Sequence, residues 1–258
     1  MPHPLHLAAC ALVAFVAGFV DAMAGGGGIL TLPAIDTFGL PVAAVVGTNK
    51  LVGTSGSAMA TVKFLLHGKI DRPVALVGGA LAAAGAVLGA RALVSLGRID
   101  ERAARFAIGA LLIAIALYLF RRRGLGEGGA HEGPTPRNLG ITAATGLGLG
   151  FYDGFFGPGT GSFLGFAMVR LLRFDFVVAT GNAKFLNFSS NVASLVTFVL
   201  AGKVVWAIAI PMGLANAAGS WLGASLAILR GARFVRWTFL AVAVAVAARL
   251  VVGVLTGG

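Results

Sequence analysis

The chain has few charged residues and almost no thiol or imidazole chemistry. Only 11% of its 258 residues are charged, whereas an ordinary soluble domain carries roughly 25%. Cys10 is the sole cysteine, which excludes an internal disulfide and a thiolate metal cage. The four histidines lack zinc-type spacing with carboxylates. We therefore predict no metal site and no cofactor, and a function that does not depend on metal or thiol chemistry.

Apolar residues take the place of the missing charges. They make up 58% of the chain and occur in runs of about 18 or more, long enough to cross a hydrocarbon layer of about 30 Å. The basic residues, which give a net charge of +11, lie mostly in short breaks between these runs, as charges that flank membrane spans do. No basic face with interleaved aromatics is present. We predict an all-α integral membrane protein whose partner is the lipid bilayer, not nucleic acid.

The apolar runs predict eight transmembrane helices, four on each side of a polar linker. The linker covers residues 121–138, which are rich in glycine, proline and charge. It separates a first transmembrane repeat, 1–120, from a second, 139–258. The predicted spans cover about 5–23, 42–66, 73–96, 103–120, 139–156, 176–201, 204–229 and 234–254. Lysine and arginine are spread almost evenly over the alternate loops, so membrane orientation, and the choice between parallel and inverted repeats, stay open.

Two motifs near the N-terminus recur in the second half. GFVDAMAGGGGILTLP (18–33) corresponds to GFYDGFFGPGTGSFLG (150–165), and GTNKLVGTSGS (47–57) corresponds to GNAKFLNFSSN (181–191). The second copy has two extra positions between its two motifs. A G-x-x-x-G spacing at Gly85 and Gly89 also returns at Gly219 and Gly223, and this spacing predicts close helix contacts. The chain therefore consists of two similar halves.

The first predicted helix of each half ends in a run of glycines. Each glycine costs roughly 1 kcal/mol in a helix interior, and Pro158 removes a backbone donor from the second run. We predict that both helices are broken or re-entrant, and that the exposed N–H groups of the following helix bind an anion. The alternative is that the glycines only permit tight packing. The predicted binding positions in these runs are Gly25, Gly26, Gly27, Gly28, Gly157, Gly159, Thr160 and Gly161.

Lys50 and Lys184 lie inside apolar runs at matching positions of the two halves. A charge at the centre of a membrane helix costs about 3 kcal/mol or more, so such a residue is usually functional or paired. We predict that both lysines supply positive charge to an anionic substrate. The alternative is that each reaches the membrane interface with its ammonium group.

Asp21 and Asp153 precede the two glycine runs. Three roles stay open for them: pairing with a lysine of the same or the other half, carrying a coupling proton, or capping the following helix. Neutral hydrogen-bonding groups are expected around the same site, at Thr48, Asn49, Asn182 and Asn187.

The two motif pairs together resemble the sulfite exporter TauE/SafE family, also called the toluene sulfonate uptake permease family. The resemblance covers nearly the whole chain, and DGFFGPGTG (153–161) is similar to the YfcA-like branch, membrane transporters without a settled substrate. It implies a multi-pass carrier of the bacterial inner membrane built from a duplicated four-helix unit. The implied cargo is a small sulfur-containing anion such as sulfite, a sulfonate or sulfoacetate, moved by an ion gradient of protons or Na⁺. The family's glycine-rich segments fall here on Gly25 to Gly28 and on Gly157, Gly159 and Gly161.

We therefore expect a secondary anion transporter and not an enzyme. GGGGILT (25–31) lacks the Gly-Lys-Ser/Thr ending of a nucleotide-binding loop, which excludes the usual ATP-driven mechanism. A membrane-embedded enzyme acting on lipid or a small substrate is the main alternative, although the apolar runs contain no histidine near a carboxylate pair. A passive anion channel is another. Substrate identity, direction of transport and oligomeric state stay open.

Overall fold

The computed structural model describes residues 3–96, 121 and 126–256, with side chains as far as residue 242 and at 244. All regular secondary structure in these ranges is helical, which confirms the predicted fold class. The fourth predicted span, 103–120, lies outside the described residues. Of the predicted linker, residue 121 and residues 126–138 are described, and a helix already begins at Pro136.

Eight helices are described. They are α1 (Pro4–Ala24), α2 (Gly28–Asp36), α3 (Val42–Leu66), α4 (Arg72–Leu96), α5 (Pro136–Phe155), α6 (Thr160–Leu171), α7 (Phe176–Leu200) and α8 (Trp206–Thr256). α8 is interrupted at Gly231, whose φ of 75° and ψ of −174° are not helical. α8 therefore contains both of the last two predicted spans. The breaks between α1 and α2 and between α5 and α6 lie where the glycine runs predict them.

Four of the described helices are long and apolar enough to cross a membrane. They are Pro4–Ala24, Arg72–Leu96, Phe176–Leu200 and the Trp206–Val242 part of α8. α3 and α5 are also long, at 25 and 20 residues. They carry more polar residues, since α3 contains two lysines and α5 contains Arg137, Asn138 and Asp153, and both contain threonine and several glycines. These helices fit the predicted multi-pass membrane protein.

The helix starts repeat with the same offsets as the sequence motifs. α5 and α6 follow α1 and α2 at the distance that separates the two glycine-run motifs, and α7 and α8 follow α3 and α4 at the distance that separates the two lysine motifs. The two additional positions of the second half therefore lie between the starts of α6 and α7. We infer from this agreement that α1–α4 correspond to α5, α6, α7 and the first part of α8 in a duplicated unit. The counterpart of the second part of α8 would be the predicted span 103–120, which lies outside the described residues.

The two halves pack into each other and not side by side. α1 lies along α8 and α5 lies along α4, while α3 contacts both α7 and α8. Glycine permits this closeness: a Cβ atom at Gly85 would overlap the carbonyl oxygen of Leu147, and one at Gly219 would overlap that of Phe15. The G-x-x-x-G spacings therefore mark helix contacts between the halves, as the sequence predicts.

Buried apolar side chains form two clusters around this crossed arrangement. The larger cluster includes Phe64, Phe163 and Phe176, and the smaller includes Ile35 and Phe198. Both clusters combine residues of the two halves. The core therefore fixes the halves against each other, and it holds the two helix breaks in a common interior region.

Candidate functional site

Both helix breaks depend on backbone conformations that glycine adopts readily. Gly25 and Gly26 follow α1 with φ of 78° and 88°, and Gly157 and Gly159 follow α5 with φ of 96° and 81°. Side chains with a Cβ are strained in this region of φ, whereas glycine is not. The glycines therefore end α1 and α5 and allow a new helix to begin within a few residues.

The two breaks contact each other. A Cβ atom at Gly25 would overlap the backbone of Ser162, and the Ser162 hydroxyl donates to the carbonyl oxygen of Ala24 at 2.9 Å. On the other side, the Cβ position of Gly28 is 3.6 Å from Cα of Pro158. Gly25 thus serves the tight packing that the sequence left as an alternative, while Gly26, Gly27 and Gly28 line an adjoining space.

That space is a small polar cavity of about 40 Å³. Because one water needs about 10–15 Å³ on this scale, the cavity has room for about three waters. Both halves contribute to it. Its lining residues are Asp21, Gly26, Gly27, Gly28, Thr31, Asn49, Lys50, Val52, Gly53, Asp153, Gly157, Gly159, Thr160, Gly161, Asn187, Asn191 and Asn216. Most of the residues that the sequence nominates for binding therefore meet at one place.

The buried lysines and aspartates form two crossed ion pairs. Nζ of Lys50 lies 3.1 Å from Oδ2 of Asp153, and Nζ of Lys184 lies 2.7 Å from Oδ2 of Asp21. The lysine side chains are 2% and 1% exposed, so neither ammonium group reaches the membrane interface. Each lysine pairs with the aspartate of the other half, one of the two pairings that the sequence left open.

The two aspartates differ in their remaining contacts. Oδ1 of Asp21 accepts a hydrogen bond from the backbone N–H of Gly27 at 2.9 Å, so Asp21 caps the start of α2 as well as pairing with Lys184. Oδ2 of Asp153 accepts one from the Ser190 hydroxyl at 2.7 Å, and the backbone carbonyl of Asp153 accepts a second bond from the Lys50 ammonium group. With both pairs ionised, the four charges sum to zero.

Neutral groups complete the lining. The Thr31 hydroxyl donates to Oδ1 of Asn49 at 2.6 Å, and the Thr160 hydroxyl donates to the carbonyl oxygen of Gly157 at 2.8 Å. The Asn191 amide donates to the carbonyl oxygen of Asn187 at 2.7 Å. These bonds hold the break segments and the middle of α3 and α7 in place, and they leave amide and hydroxyl groups at the cavity wall.

Four nominated residues do not line the cavity: Gly25, Thr48, Asn182 and Lys184. Lys184 lies directly behind Asp21. The Thr48 hydroxyl oxygen accepts a hydrogen bond from the N–H of Val205 at 3.0 Å, and Oδ1 of Asn182 accepts one from the N–H of Asp71 at 3.2 Å. Thr48 and Asn182 occupy matching positions, and each holds the segment just before a helix of the other half.

Thr31 and Asn216 line the cavity but were not nominated from the sequence. The repeat offers no signal for them, because the matching positions hold Phe163 and Ala82. The Asn216 amide donates to the carbonyl oxygen of Ala14 at 2.8 Å. A polar residue inside an apolar run is the remaining sequence signal, and it applies to both residues.

Comparison with known proteins shows the family of the chain. The family model described as sulfite exporter TauE/SafE matches residues 10–250. The chain belongs to the TauE/SafE family. It is 40% identical to "Probable membrane transporter protein ORF9" of Sinorhizobium sp over 95% of this chain and 92% of that relative. It is 36% identical to "Probable membrane transporter protein YfcA" of Escherichia coli K12 over 97% and 91%.

A third relative of the TauE/SafE chain, "Probable membrane transporter protein" of Haemophilus influenzae, is 37% identical over 87% of this chain and 86% of its own. No solved structure matches the chain. The family match, the relatives and the apolar helices together make this chain a multi-pass bacterial membrane transporter of the TauE/SafE family. These relatives are named as transporters, in agreement with a function other than catalysis.

Proposed function

We propose that this transporter carries small sulfur-containing anions, such as sulfite, a sulfonate or sulfoacetate, across the bacterial inner membrane. It works as a secondary carrier driven by an ion gradient of protons or Na⁺. The observation that carries the proposal is the convergence of both helix breaks and two buried ion pairs on one polar cavity. The family description, sulfite exporter, supports the choice of cargo.

An oxyanion suits the chemistry of this cavity. α2 and α6 both begin at the cavity wall, at Gly28 and Thr160, and the N-terminus of a helix favours negative charge through its free N–H groups and its dipole. Lys50 lines the cavity and presents an ammonium donor that is paired with Asp153, and asparagine amides supply neutral donors. A space for about three waters fits a compact anionic group, so a larger substrate requires the helices to move apart.

The crossed ion pairs supply a route to alternating access. Each pair joins one half to the other, so exchanging a carboxylate for the substrate on one lysine loosens one contact between the halves while the second pair holds. Secondary transporters built from repeats commonly place their site between the repeats near the bilayer midplane and move one repeat against the other. The substrate site proposed here comprises Asp21, the break glycines, Asn49, Lys50, Asp153, Thr160, Lys184 and Asn187.

The test is flux in proteoliposomes with a panel of sulfite, methanesulfonate, sulfoacetate and acetate, with and without an imposed proton or Na⁺ gradient. We expect gradient-driven, saturable flux of at least one sulfur-containing anion. Lys184→Ala and Lys50→Ala should reduce it to the protein-free background while the protein still inserts. Lys63→Ala is the matched control, because Lys63 lies on the same helix as Lys50 but contacts the ring of Trp221 instead of the cavity.

Three results would contradict the proposal. Absence of flux for the whole panel would show that small sulfur-containing anions are not the substrates. Normal flux and affinity in Lys184→Ala would remove that lysine from the site. Single-channel currents far above carrier turnover would replace the carrier with a channel.

A further inference from the structure

We propose that Asp21 is an internal competitor of the transported anion, and that its protonation couples one proton to each monovalent anion carried. Asp153, its counterpart in the second half, is a fixed structural partner of Lys50. This inference rests on the proposed function, and it assigns the coupling ion and the residue that carries it.

Asp21 occupies the groups that an incoming anion needs. Its two carboxylate oxygens accept from the Gly27 N–H at 2.9 Å and from the Lys184 ammonium at 2.7 Å. One of these donors is at the start of α2 and the other is a buried lysine. A sulfonate or sulfite oxygen would use the same two donors, so the carboxylate and the substrate exclude each other there.

Asp21 is also the aspartate that can separate more readily from its lysine. Its side chain is 17% exposed, whereas that of Asp153 is 3% exposed. Each carboxylate has one donor besides its lysine, the Gly27 N–H for Asp21 and the Ser190 hydroxyl for Asp153. Lys50, however, binds the backbone carbonyl of Asp153 as well as its carboxylate. The position that matches Ser190 in the first half is Gly56, which has no hydroxyl to offer. The duplicated pairs are therefore unequal in both access and contacts.

Charge balance gives the stoichiometry. Lys50, Lys184, Asp21 and Asp153 are the charged groups that the described part of the chain places in or next to the cavity, and together they are neutral when ionised. An added monovalent anion would leave one uncompensated negative charge in a buried site, at a cost of several kcal/mol. A proton taken from water onto Asp21 removes that charge and frees Lys184 for the anion. On release the proton returns to water and the Asp21–Lys184 pair forms again.

The test compares the parent chain, Asp21→Asn and Asp36→Asn in proteoliposomes loaded with methanesulfonate, which stays ionised at every assay pH. Asp36 is an exposed aspartate at the end of α2 and serves as the matched control. The membrane potential is clamped at zero and a gradient of one pH unit is imposed. The measured quantity is the steady-state accumulation ratio, which does not depend on how much active protein is present.

One proton per anion gives a tenfold accumulation ratio for one pH unit. We expect a ratio of about ten for the parent chain and for Asp36→Asn, and a ratio of about one for Asp21→Asn with exchange of labelled for unlabelled methanesulfonate retained. The apparent affinity of Asp21→Asn should rise, since the internal competitor has lost its charge.

The inference is overturned by a ratio of one in the parent chain or by a ratio of ten in Asp21→Asn. If Asp21→Asn does not fold, Asp21→Glu restores a titratable carboxylate and should again reach about ten, and a ratio of one there overturns the inference as well. Absence of methanesulfonate, sulfite and sulfoacetate flux in the parent chain refutes the proposed function itself, which separates the two failures.

Discussion

Removing the ammonium group of Lys50 should destabilise the protein more than any other single change in the site. Lys50→Met leaves the carboxylate of Asp153 with a side chain that is 3% exposed and with Ser190 as its remaining side-chain partner. Breaking a buried pair from one side costs about 3–5 kcal/mol, because the other charge stays buried and uncompensated. Lys184→Met should cost less, about 1–3 kcal/mol, since Asp21 is 17% exposed and opens to the cavity.

A double-mutant cycle separates this explanation from simple loss of packing. Replacing both partners, as in Lys50→Met with Asp153→Asn, removes the uncompensated charge, so the double variant should regain at least half of the stability lost in Lys50→Met. The assay is denaturant unfolding in mixed detergent micelles, with equal micelle composition for all variants. A cost below about 1 kcal/mol for Lys50→Met, or a double variant whose loss equals the sum of the two single losses, would refute the reasoning.

Two pairs of glycine substitutions test the helix contacts and the first break. Gly146→Ala should destabilise the protein by about 1–3 kcal/mol, because its Cβ would overlap the carbonyl oxygen of Gly78. Gly148→Ala in the same helix faces open space and should stabilise the protein by up to about 1 kcal/mol. Thermal unfolding in detergent measures both effects. Gly25→Ala should abolish flux and lower the unfolding temperature. Gly39 also has positive φ but no neighbour within 4 Å, so Gly39→Ala should keep flux. Equal flux in the two variants would contradict the role assigned to the first break.

The helix positions could be predicted from the sequence because lipid imposes a simple rule on the chain. Apolar runs long enough to cross a membrane must satisfy their backbone internally, and helices do so. α3 and α7 begin at the residues where the apolar runs begin, and the glycine runs end α1 and α5. One boundary differs, because α5 begins at Pro136, inside the predicted linker. The break predicted between the last two spans corresponds to the non-helical Gly231 within α8.

The partners of the site residues could not be read from the sequence in the same way. The repeat indicated Lys50, Lys184, Asp21 and Asp153 as a set, but either pairing pattern preserves the symmetry of the motifs. The crossed pattern depends on how the two halves pack against each other in three dimensions, which the motifs do not encode. The same holds for the contacts of Thr48. Its motif does not tell whether the hydroxyl faces a cavity or accepts a hydrogen bond from a backbone N–H, as it does from Val205.

The crossed arrangement has a consequence for how the protein is made. Lys50 precedes its partner by 103 residues, so at a synthesis rate of about 5–20 residues per second roughly 5–20 s pass before Asp153 emerges from the ribosome. During that interval the nascent first half holds an unmatched ammonium group in or near the lipid. The newly inserted chain therefore passes through an incompletely folded intermediate, in which the insertion machinery or the lipid headgroups interact with its buried charges.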